Sequence, residues 1–380
     1  MRKSIKYFSA SAVLSILTPQ LFAASAGEVI VKLGQASPLS GSIAHTGKDI
    51  ESGAKLAVED LNASGLVIAG KKVKFELISE DDQADPKIAT QVAQRLVDAK
   101  VAAVIGHTGS GTSIPASRLY SDAGIPQISP SATNPAYTQQ GFKTTFRMIA
   151  NDKQLGSVLG KYVVENLKVK RVAIIDDRTA YGQGLADEFE KSVKSSNGNI
   201  VRREYTTNAA TDFTAILTSI KANKPDLIFF GGQDAQAGPI AKQMKLLGIN
   251  AKLIGGDGMQ TPELINLAGD AAEGVYASVT GSPREKMPGF SKFESKFKNR
   301  FKTEILVFSP YSYDAVHVIA DAMKRANSTD NKKFLPFIGK TNLNGVTGNI
   351  QFDSIGDPKR GFVTIYQVKN GKWTVVFAKS

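Results

Sequence analysis

The sequence contains no cysteine among its 380 residues. Disulfide bonds, thiolate metal sites, cysteine nucleophiles and a lipid anchor on an N-terminal cysteine are therefore excluded. Histidine is nearly as scarce, because only His45, His107 and His317 occur. None of them lies in an H-E-x-x-H arrangement or beside a G-x-S-x-G turn, so two familiar signatures of hydrolases are missing.

Long apolar runs are also missing, apart from Tyr7 to Leu21 near the N-terminus. This run is shorter than the roughly 20 residues that a membrane-spanning helix needs. It follows basic residues at positions 2, 3 and 6 and precedes the small residues Ala24-Ser25-Ala26. This pattern is typical of a secretory signal peptide. Residues 1–26 are therefore expected to be removed, and the rest of the chain to work outside the cytoplasm without spanning a membrane.

The chain is positively charged, with a formal net charge of +12. Its lysine residues are scattered along helix patterns and form no cluster interleaved with aromatic residues, so a nucleic-acid partner is not expected. The length of 380 residues exceeds what one hydrophobic core usually covers, which predicts two domains.

Apolar strand patterns alternate with amphipathic helix patterns through most of the chain. A first series covers residues 29–34, 48–62, 73–79, 86–99, 101–105 and 125–129. A second series covers residues 171–175, 181–195, 199–205, 213–222, 226–230, 235–247, 252–254 and 274–279. Residues 286–326 are predicted to be helical, and 346–352 and 361–377 to be strands, with a hairpin turn at Asn370-Gly371. The two series predict an α/β fold of two doubly wound lobes with mostly parallel sheets.

The stretch from Val101 to Ser113 reads VAAVIGHTGSGTS. A buried-strand pattern here leads into a Gly/Ser/Thr-rich turn and a helix start, where free N–H groups and hydroxyls could hold a small anion. The turn lacks the lysine of a phosphate-binding loop, so a carboxylate fits better than a nucleotide. His107 sits at the mouth of this turn, where it either contacts the ligand or braces the loop.

Small and polar residues also follow other predicted strands, at 129–135, 176–181, 231–234 and 255–257. Parallel sheets bind ligands beyond the carboxyl ends of their strands, so these segments are expected to line a cleft between the lobes. Hydroxyls on one wall, with Asp257 and Tyr181 on the other, suit a zwitterion. Structural roles stay open: Thr133 could cap a turn, Tyr181 could pack at a helix start, and Asp257 could cap the helix at Thr261-Pro262.

Short motifs that cover nearly the whole mature chain, in order, carry a family resemblance. They are Pro38-Leu-Ser-Gly41, the Gly53-Ala54 helix continuing to Asn62, Asp81-Asp82 with Asp85-Pro86, Ile105-Gly-His107, Ser129-Pro130 with Ala132-Thr-Asn-Pro135, Tyr181-Gly-x-Gly184, Asp212-Phe213, Gly231-Gly232 and Ala268-Gly-Asp-Ala-Ala-Glu-Gly274. With these motifs the chain resembles the periplasmic leucine/isoleucine/valine-binding protein family, a group of solute receptors for ATP-binding-cassette (ABC) importers.

The resemblance implies the type I periplasmic binding protein fold, with a hinge of three chain crossings near 148–151, 279–282 and 353–357. Lobe 1 would comprise residues 27–148 and 282–353, and lobe 2 residues 149–281 and 354–380. The resemblance also implies a periplasmic receptor, without enzymatic activity, cofactor or metal. Such a receptor captures a free amino acid, branched-chain or otherwise apolar, and delivers it to a permease and its ATPase.

Two alternatives of other classes remain. One is a ligand-sensing domain that reports small amides or amino acids to a signalling partner. The other is a secreted hydrolase of small amides, although no nucleophile with a nearby general base is visible among the strand ends.

Carried over residue by residue, the resemblance places Ser110, Ser131 and Thr133 at positions that bind the ligand carboxylate, with Ser131 offering its backbone. Tyr181 and Asp257 fall at the second-lobe positions, where Asp257 replaces the glutamate more usual at the ammonium site. The expected ligand site comprises Thr46, Gly109, Ser110, Ser131, Ala132, Thr133, Tyr181, Gln233 and Asp257.

Three departures from the family pattern concern this site. Thr46 stands where the branched-chain receptors tend to carry an aromatic residue, and Gln233 stands where they carry a tyrosine. The disulfide of the family is absent, with Ala84 and Gly109 at its positions. Loss of two aromatic rings and gain of an amide predict a larger or more polar side-chain pocket.

Overall fold

The computed structural model describes residues 4–5 and 27–379. The predicted signal peptide therefore lies outside the described residues, except for positions 4 and 5. In chain order the strands and α-helices are β1 (Glu28–Ser37), α1 (Ala44–Ser64), β2 (Val67–Ile68), β3 (Lys71–Asp81), α2 (Pro86–Asp98), β4 (Ala103–Gly106), α3 (Ser110–Asp122), β5 (Gln127–Ser129), α4 (Ala136–Gln139), β6 (Thr145–Arg147), α5 (Asp152–Lys161), β7 (Arg171–Asp176), α6 (Ala180–Ser195), β8 (Asn199–Tyr205), α7 (Thr214–Ala222), β9 (Leu227–Gly231), α8 (Asp234–Leu246), β10 (Lys252–Gly255), α9 (Pro262–Ala268), β11 (Tyr276–Val279), α10 (Phe290–Phe301), α11 (Ser309–Ala326), α12 (Asn331–Ile338), β12 (Leu343–Asn344), β13 (Asn349–Ile350), β14 (Val363–Lys369) and β15 (Lys372–Lys379).

Two large sheets organise the chain. The first has the strand order β2-β3-β1-β4-β5-β6, and the second has the order β15-β14-β11-β10-β9-β7-β8. Neighbouring strands in these sheets are parallel, except that β2 is antiparallel to β3 and β14 is antiparallel to both β11 and β15. Central strands such as β4 and β9 are buried along their whole length, as continuous apolar runs in a covered parallel sheet require. The α/β class and the two doubly wound lobes are as predicted.

The hairpin predicted at the C-terminus is also correct. Asn370 and Gly371 join β14 to β15 with positive φ values of 52° and 69°. Positive φ at both central residues is what the favoured two-residue hairpin turn requires, and Asn-Gly adopts it most readily.

Each lobe has its own apolar core. The largest core cluster of the first lobe draws on residues 31–149 and 279–352, and it packs α1 against α10 and α11. The sheet of the second lobe is covered by α5 and α6 on one face and by α7, α8 and α9 on the other. The chain therefore passes between the lobes three times, from β6 to α5, from β11 to α10 and from β13 to β14.

A buried ion pair joins the first and third of these crossings. Arg147, at the end of β6, is fully buried and donates through Nε to Asp357 Oδ1 at 2.6 Å. Asn151 Nδ2 donates to the other oxygen of Asp357 at 2.7 Å. Because both partners are hydrogen-bonded as well as charged, the pair holds the two crossings in one geometry.

The helix predicted over 286–326 is wrong in its middle. The α10 helix ends at Phe301, where Lys302 adopts a left-handed φ of 58°, and α11 starts only at Ser309. Residues 302–308 are irregular and reach the space between the lobes. The strand predicted over 346–352 is shorter than expected, because β13 alone forms a strand there, paired with β12, and Phe352 makes only an isolated bridge with Pro358. The helices α4, α5 and α12 and the strands β2, β6 and β12 were outside the predicted elements.

Within residues 4–5 and 27–379, no helix combines the length and the apolar character needed to cross a bilayer.

Candidate functional site

A cavity of about 40 Å³ lies in the cleft between the lobes. Its first-lobe wall comprises Ile43, Thr46, Thr108, Gly109, Ser110, Ser131, Leu306, Val307 and Phe308. Its second-lobe wall comprises Tyr181, Gln233, Asp257, Gly258 and Thr261. Most of the predicted site residues are thus brought together; Ala132 and Thr133 are not part of the lining, although both are almost completely buried. A larger cavity of about 420 Å³ lies at the hinge, and none of the predicted ligand-site residues lines it.

The first-lobe wall is built on the start of α3. Gly109 is its N-cap, in extended conformation, and Ser110 is its first residue. The first turn of a helix presents unpaired N–H groups and the positive end of the helix dipole, which together attract an anion. Ser110 Oγ accepts from the backbone N–H of Asn134 at 3.1 Å, and no described residue accepts the proton of its own hydroxyl. Ser131 Oγ donates to Thr108 O at 2.8 Å, so this hydroxyl is already engaged.

The Gly/Ser turn is braced from behind by His107, which is fully buried. Its Nδ1 lies 2.7 Å from Asp82 Oδ2 and its Nε2 lies 3.1 Å from the hydroxyl of Tyr120. The carbonyl of His107 accepts from Ser113 Oγ and Ser129 Oγ, at 3.0 and 2.8 Å. Of the two roles left open for His107, the structure supports the brace, because His107 does not line the cleft.

The second-lobe wall presents a buried carboxylate. Asp257 is 3% exposed and accepts from the Tyr181 hydroxyl at 2.6 Å and from Thr280 Oγ1 at 3.3 Å. Burial raises the pKa of Asp257 to about 6, although the Tyr181 and Thr280 hydroxyls oppose the shift. A carboxylate in this position is ionised at neutral pH and can neutralise a bound cation. Helix α9 is capped by Thr261, which accepts from Leu264 N at 3.2 Å, so the capping role considered for Asp257 is wrong.

A second carboxylate near the cleft, Asp152, was missed from the sequence. Asp152 is the first residue of α5, directly after the first crossing, and it is completely buried. Neither carboxylate oxygen of Asp152 has a hydrogen bond of good geometry among the described residues, but the Thr133 hydroxyl, which also lacks one, lies near enough to oppose the rise in the pKa of Asp152. Burial raises the pKa of Asp152 to about 8, and the nearby Asp257 contributes in the same direction. Asp152 lies five positions after the end of β6, and because β6 itself was not predicted, no strand end drew attention to it.

An apolar wall closes one side of the cavity. It consists of Leu306, Val307 and Phe308, in the irregular segment that interrupts the predicted helix. The buried carboxylate of Asp49, on α1, accepts from the backbone N–H groups of Leu306, Phe308 and Ser309 at 2.8 to 3.0 Å. These three bonds satisfy the carboxylate and fix the segment against α1, so the apolar wall has a defined position.

The two positions that depart from the family pattern both line the cavity. Thr46 belongs to α1 of the first lobe, and Gln233 precedes α8 of the second. A Cβ atom on Gly258 would approach Gln233 Oε1 to 2.4 Å, so glycine at that position makes room for the amide. His317, by contrast, lies on α11 with its ring centroid 4.6 Å from that of Tyr313, as a packing residue remote from the lining.

Comparison with known proteins agrees with this architecture. A family model for periplasmic binding proteins matches residues 30–372. The Leu/Ile/Val-binding protein homolog 1 of Brucella abortus (strain 2308) is 35% identical over 373 residues, which cover 98% of this chain and 97% of that protein. The leucine-, isoleucine-, valine-, threonine-, and alanine-binding protein of Pseudomonas aeruginosa is 33% identical over 339 residues, 89% of each chain. The crystal structure of LivJ from Streptococcus pneumoniae, in complex with isoleucine, matches with a TM-score of 0.82 at 31% identity, covering 92% of this chain and 99% of that one.

Two α/β lobes joined by three crossings, with polar side chains from both lobes around one small cavity, define a receptor that encloses a small solute. The chain belongs to the periplasmic binding protein family. Members of this family are solute-binding receptors of transporters.

Proposed function

We propose that this protein captures an amino acid, branched-chain or otherwise apolar, in the cleft and delivers it from the periplasm to the permease and ATPase of an ABC importer, without catalysing a reaction. The observation that carries the proposal is the placement of opposite electrostatic groups on one cavity. The buried carboxylate of Asp257 lies on the second-lobe wall, and the N-terminus of α3 lies on the first-lobe wall. A zwitterion satisfies both walls at once.

The proposed roles follow from the contacts. The Ser110 hydroxyl and the first N–H groups of α3 hold the ligand carboxylate, while Ser131 contributes its main chain. The Thr133 hydroxyl adds a donor at the edge of the site. Asp257, oriented by Tyr181, holds the ammonium group. Because the charge of Asp257 raises the pKa of Asp152, we expect the ammonium charge to act on Asp152 as well.

The residues expected to surround the ligand side chain favour an apolar or small amino acid. Leu306, Val307 and Phe308 supply apolar surface, whereas Thr46 and Gln233 add a hydroxyl and an amide. The names of the relatives point the same way, because one is a Leu/Ile/Val-binding protein homolog and another is named for binding threonine and alanine as well.

A thermal-shift screen tests the proposal. The mature protein is mixed with each of the twenty amino acids, with small amides and with aromatic acids. A ligand at 100 times its Kd stabilises the folded protein by about 2.7 kcal/mol, which is readily seen as a rise in Tm. We expect leucine, isoleucine, valine, alanine or threonine to give the largest rise. A rise with amides or aromatic acids but with no amino acid would reject the proposed ligand class.

Closure of the lobes on the ligand is a separate prediction. The crossings near 148–151, 279–282 and 353–357 are expected to act as the hinge, so that ligand contacts with both walls favour the closed form. Small-angle scattering should show a smaller radius of gyration when the binding amino acid is saturating. An unchanged radius, with binding confirmed by calorimetry on the same sample, would contradict closure.

Specificity is expected to depend on Thr46 and Gln233. Thr46→Trp should exclude the larger ligands by filling the pocket, and Gln233→Tyr should shift preference toward aliphatic ligands by removing the amide. A difference of one methylene in fit is worth about 1 to 3 kcal/mol, so the change in relative Kd values should be graded. Thr46→Ser, which keeps a small hydroxyl, is the control and should keep the wild-type order. If the order of ligand affinities is the same in all three variants, the side-chain pocket lies elsewhere.

A further inference from the structure

A direct contact crosses the cleft outside the cavity lining. His45, on α1 of the first lobe, has its Nε2 atom 2.7 Å from Asp234 Oδ2, on α8 of the second lobe. The side chain of Asp234 is 1% exposed, and that of His45 is 28% exposed. The Thr261 hydroxyl donates to the same carboxylate oxygen. Both contacts reach Oδ2, and Oδ1 of Asp234 has no hydrogen-bond partner among the described residues. The imidazole is therefore one of the two partners of a buried charge that belongs to the other lobe.

Both partners of this contact adjoin residues of the ligand site. His45 precedes Thr46, and Asp234 follows Gln233 directly in the chain. Thr261, the third member, lines the cavity itself and caps α9. The positions of Thr46, Gln233 and Thr261 are thus fixed relative to one another when His45 meets Asp234. Because the two partners belong to different lobes, the contact exists only while the lobes touch.

The electrostatic surroundings of His45 favour its protonated form. The hydrogen bond to Asp234 is the largest cause that raises the pKa of His45, and the charges of Asp234 and of Glu263 on α9 act in the same direction. Asp49, on the same helix as His45, adds a smaller effect of the same sign, while partial burial opposes all of them. Asp234 and Glu263 leave with the second lobe when the cleft opens, so the imidazole then returns toward its ordinary pKa of about 6.5.

We propose that His45 is a positioning residue for ligand capture, which holds the lobes closed by pairing with Asp234 and thereby couples closure to the uptake of a proton. This inference rests on the proposed function, since it supposes that closure accompanies binding. A proton bound more tightly in the closed form must strengthen ligand binding as pH falls through the closed-state pKa of His45. The gain levels off below about pH 6.5, where the open form is protonated as well. Asp257, with its pKa raised to about 6, gives the opposite trend at acid pH, and proton release from Asp152, with its pKa raised to about 8, gives the opposite trend near neutral pH, so the effect of His45 must be separated by comparing variants.

Calorimetry with L-leucine between pH 5.5 and pH 8.5 separates them. His45→Gln keeps a hydrogen-bonding side chain but removes the charge. We expect it to weaken binding roughly tenfold near pH 6 and at most about threefold at pH 8.5. His317→Gln is the matched control, because it removes the other partly buried histidine of the first lobe at a site remote from the cleft, and it should follow the wild-type profile. Parallel profiles for the wild type and His45→Gln would overturn the proposal.

A double-mutant cycle tests the pairing itself. Asp234→Asn should weaken binding near pH 6 as His45→Gln does, and the second substitution should then add less than about twofold, because one contact is already lost. If the double variant loses affinity by the product of the two single-variant factors, the residues act independently and the proposal is rejected.

A titration of His45 distinguishes this inference from the proposed function. The imidazole of His45, followed by NMR, should have a pKa near 6.5 without ligand and a higher pKa with whichever ligand the thermal-shift screen identifies, and Asp234→Asn should abolish that rise. The same pKa in the liganded wild type and in the liganded Asp234→Asn protein rejects the pairing, whatever the ligand is. If no amino acid binds but an amide or an aromatic acid produces the expected rise, the ligand class is wrong and the His45 contact stands.

Discussion

Replacing Asp257 by alanine is expected to weaken amino-acid binding by roughly 2 to 5 kcal/mol, or about thirtyfold to several-thousandfold in Kd. The reason is that the ligand ammonium would be left desolvated in a closed cleft without its counter-charge. Ser110→Ala removes one hydrogen bond to a charged group and should cost less, about 1.5 to 3 kcal/mol, because the N–H groups of α3 remain. Calorimetry on the two purified variants measures both values, and their order is the sharper part of the prediction.

Asp314 offers a matched control for this experiment. It too is buried, and burial raises its pKa to about 6, the same value as for Asp257. Its oxygens accept from Val346 N and from the main chain and hydroxyl of Thr347, at 2.7 to 2.8 Å and outside the cleft. Asp257→Asn should therefore lose affinity, whereas Asp314→Asn should bind as the wild type does. Undiminished affinity in a folded Asp257→Ala protein would mean that the ligand is not an α-amino acid held in this way.

Replacing Asp152 by asparagine is expected to stabilise the ligand-free protein by up to about 5 kcal/mol at pH 8 and above, and by almost nothing near pH 4. The folded-state pKa of Asp152 is raised to about 8, well above the ordinary value of about 3.9. The wild type therefore loses stability as pH rises from about 4 to 8, because the unfolded chain ionises freely while the buried group resists. Asparagine cannot ionise, so the difference in the free energy of unfolding should grow across this interval. Urea titrations at several pH values measure it, and a difference independent of pH would contradict the buried-carboxylate assignment.

Ligand binding should also change the proton on Asp152. An ammonium group beside the carboxylate favours its ionised form, so binding near pH 7 should release a proton from this group. Calorimetry in buffers of different ionisation enthalpy reports the number of protons exchanged on binding. Asp152→Asn should release fewer protons than the wild type, because the release from Asp152 is lost. Identical proton exchange in both proteins would show that the ligand ammonium does not affect the ionisation of Asp152.

Much of the fold was predictable because its signals are local. Buried strands such as β4 and β9 are continuous apolar runs. The helix predicted from residue 86 does begin at Pro86, and the structure adds that Lys87 and Ile88 donate to the side chain of Asp85 before it. The strand ends then located half of the cleft lining, since the residues that follow parallel strands lie at one edge of a sheet.

The remainder depends on contacts that the sequence does not display. The apolar helix pattern continues from α10 toward α11, and the break at 302–308 is imposed by Asp49, more than 250 positions earlier, which binds the N–H groups of Leu306, Phe308 and Ser309. The pairing of His45 with Asp234 is equally remote in the chain. Asp152 was missed because neither β6 before it nor α5, which it begins, was predicted from the sequence. Its complete burial without a hydrogen bond of good geometry is visible only in the structure.

The division of the first-lobe core between residues 31–149 and 279–352 has a consequence for the order in which the protein can fold. A growing chain that ends before α11 leaves the buried face of α1, with Ile50, Ala54 and Ala57, without its covering helix. The middle of the chain, by contrast, supplies nearly all of the second-lobe core from residues 155–277. The first lobe therefore cannot complete this core until the C-terminal third of the chain has been synthesised. The second lobe, whose core residues lie mostly in the middle of the chain, can complete its core earlier.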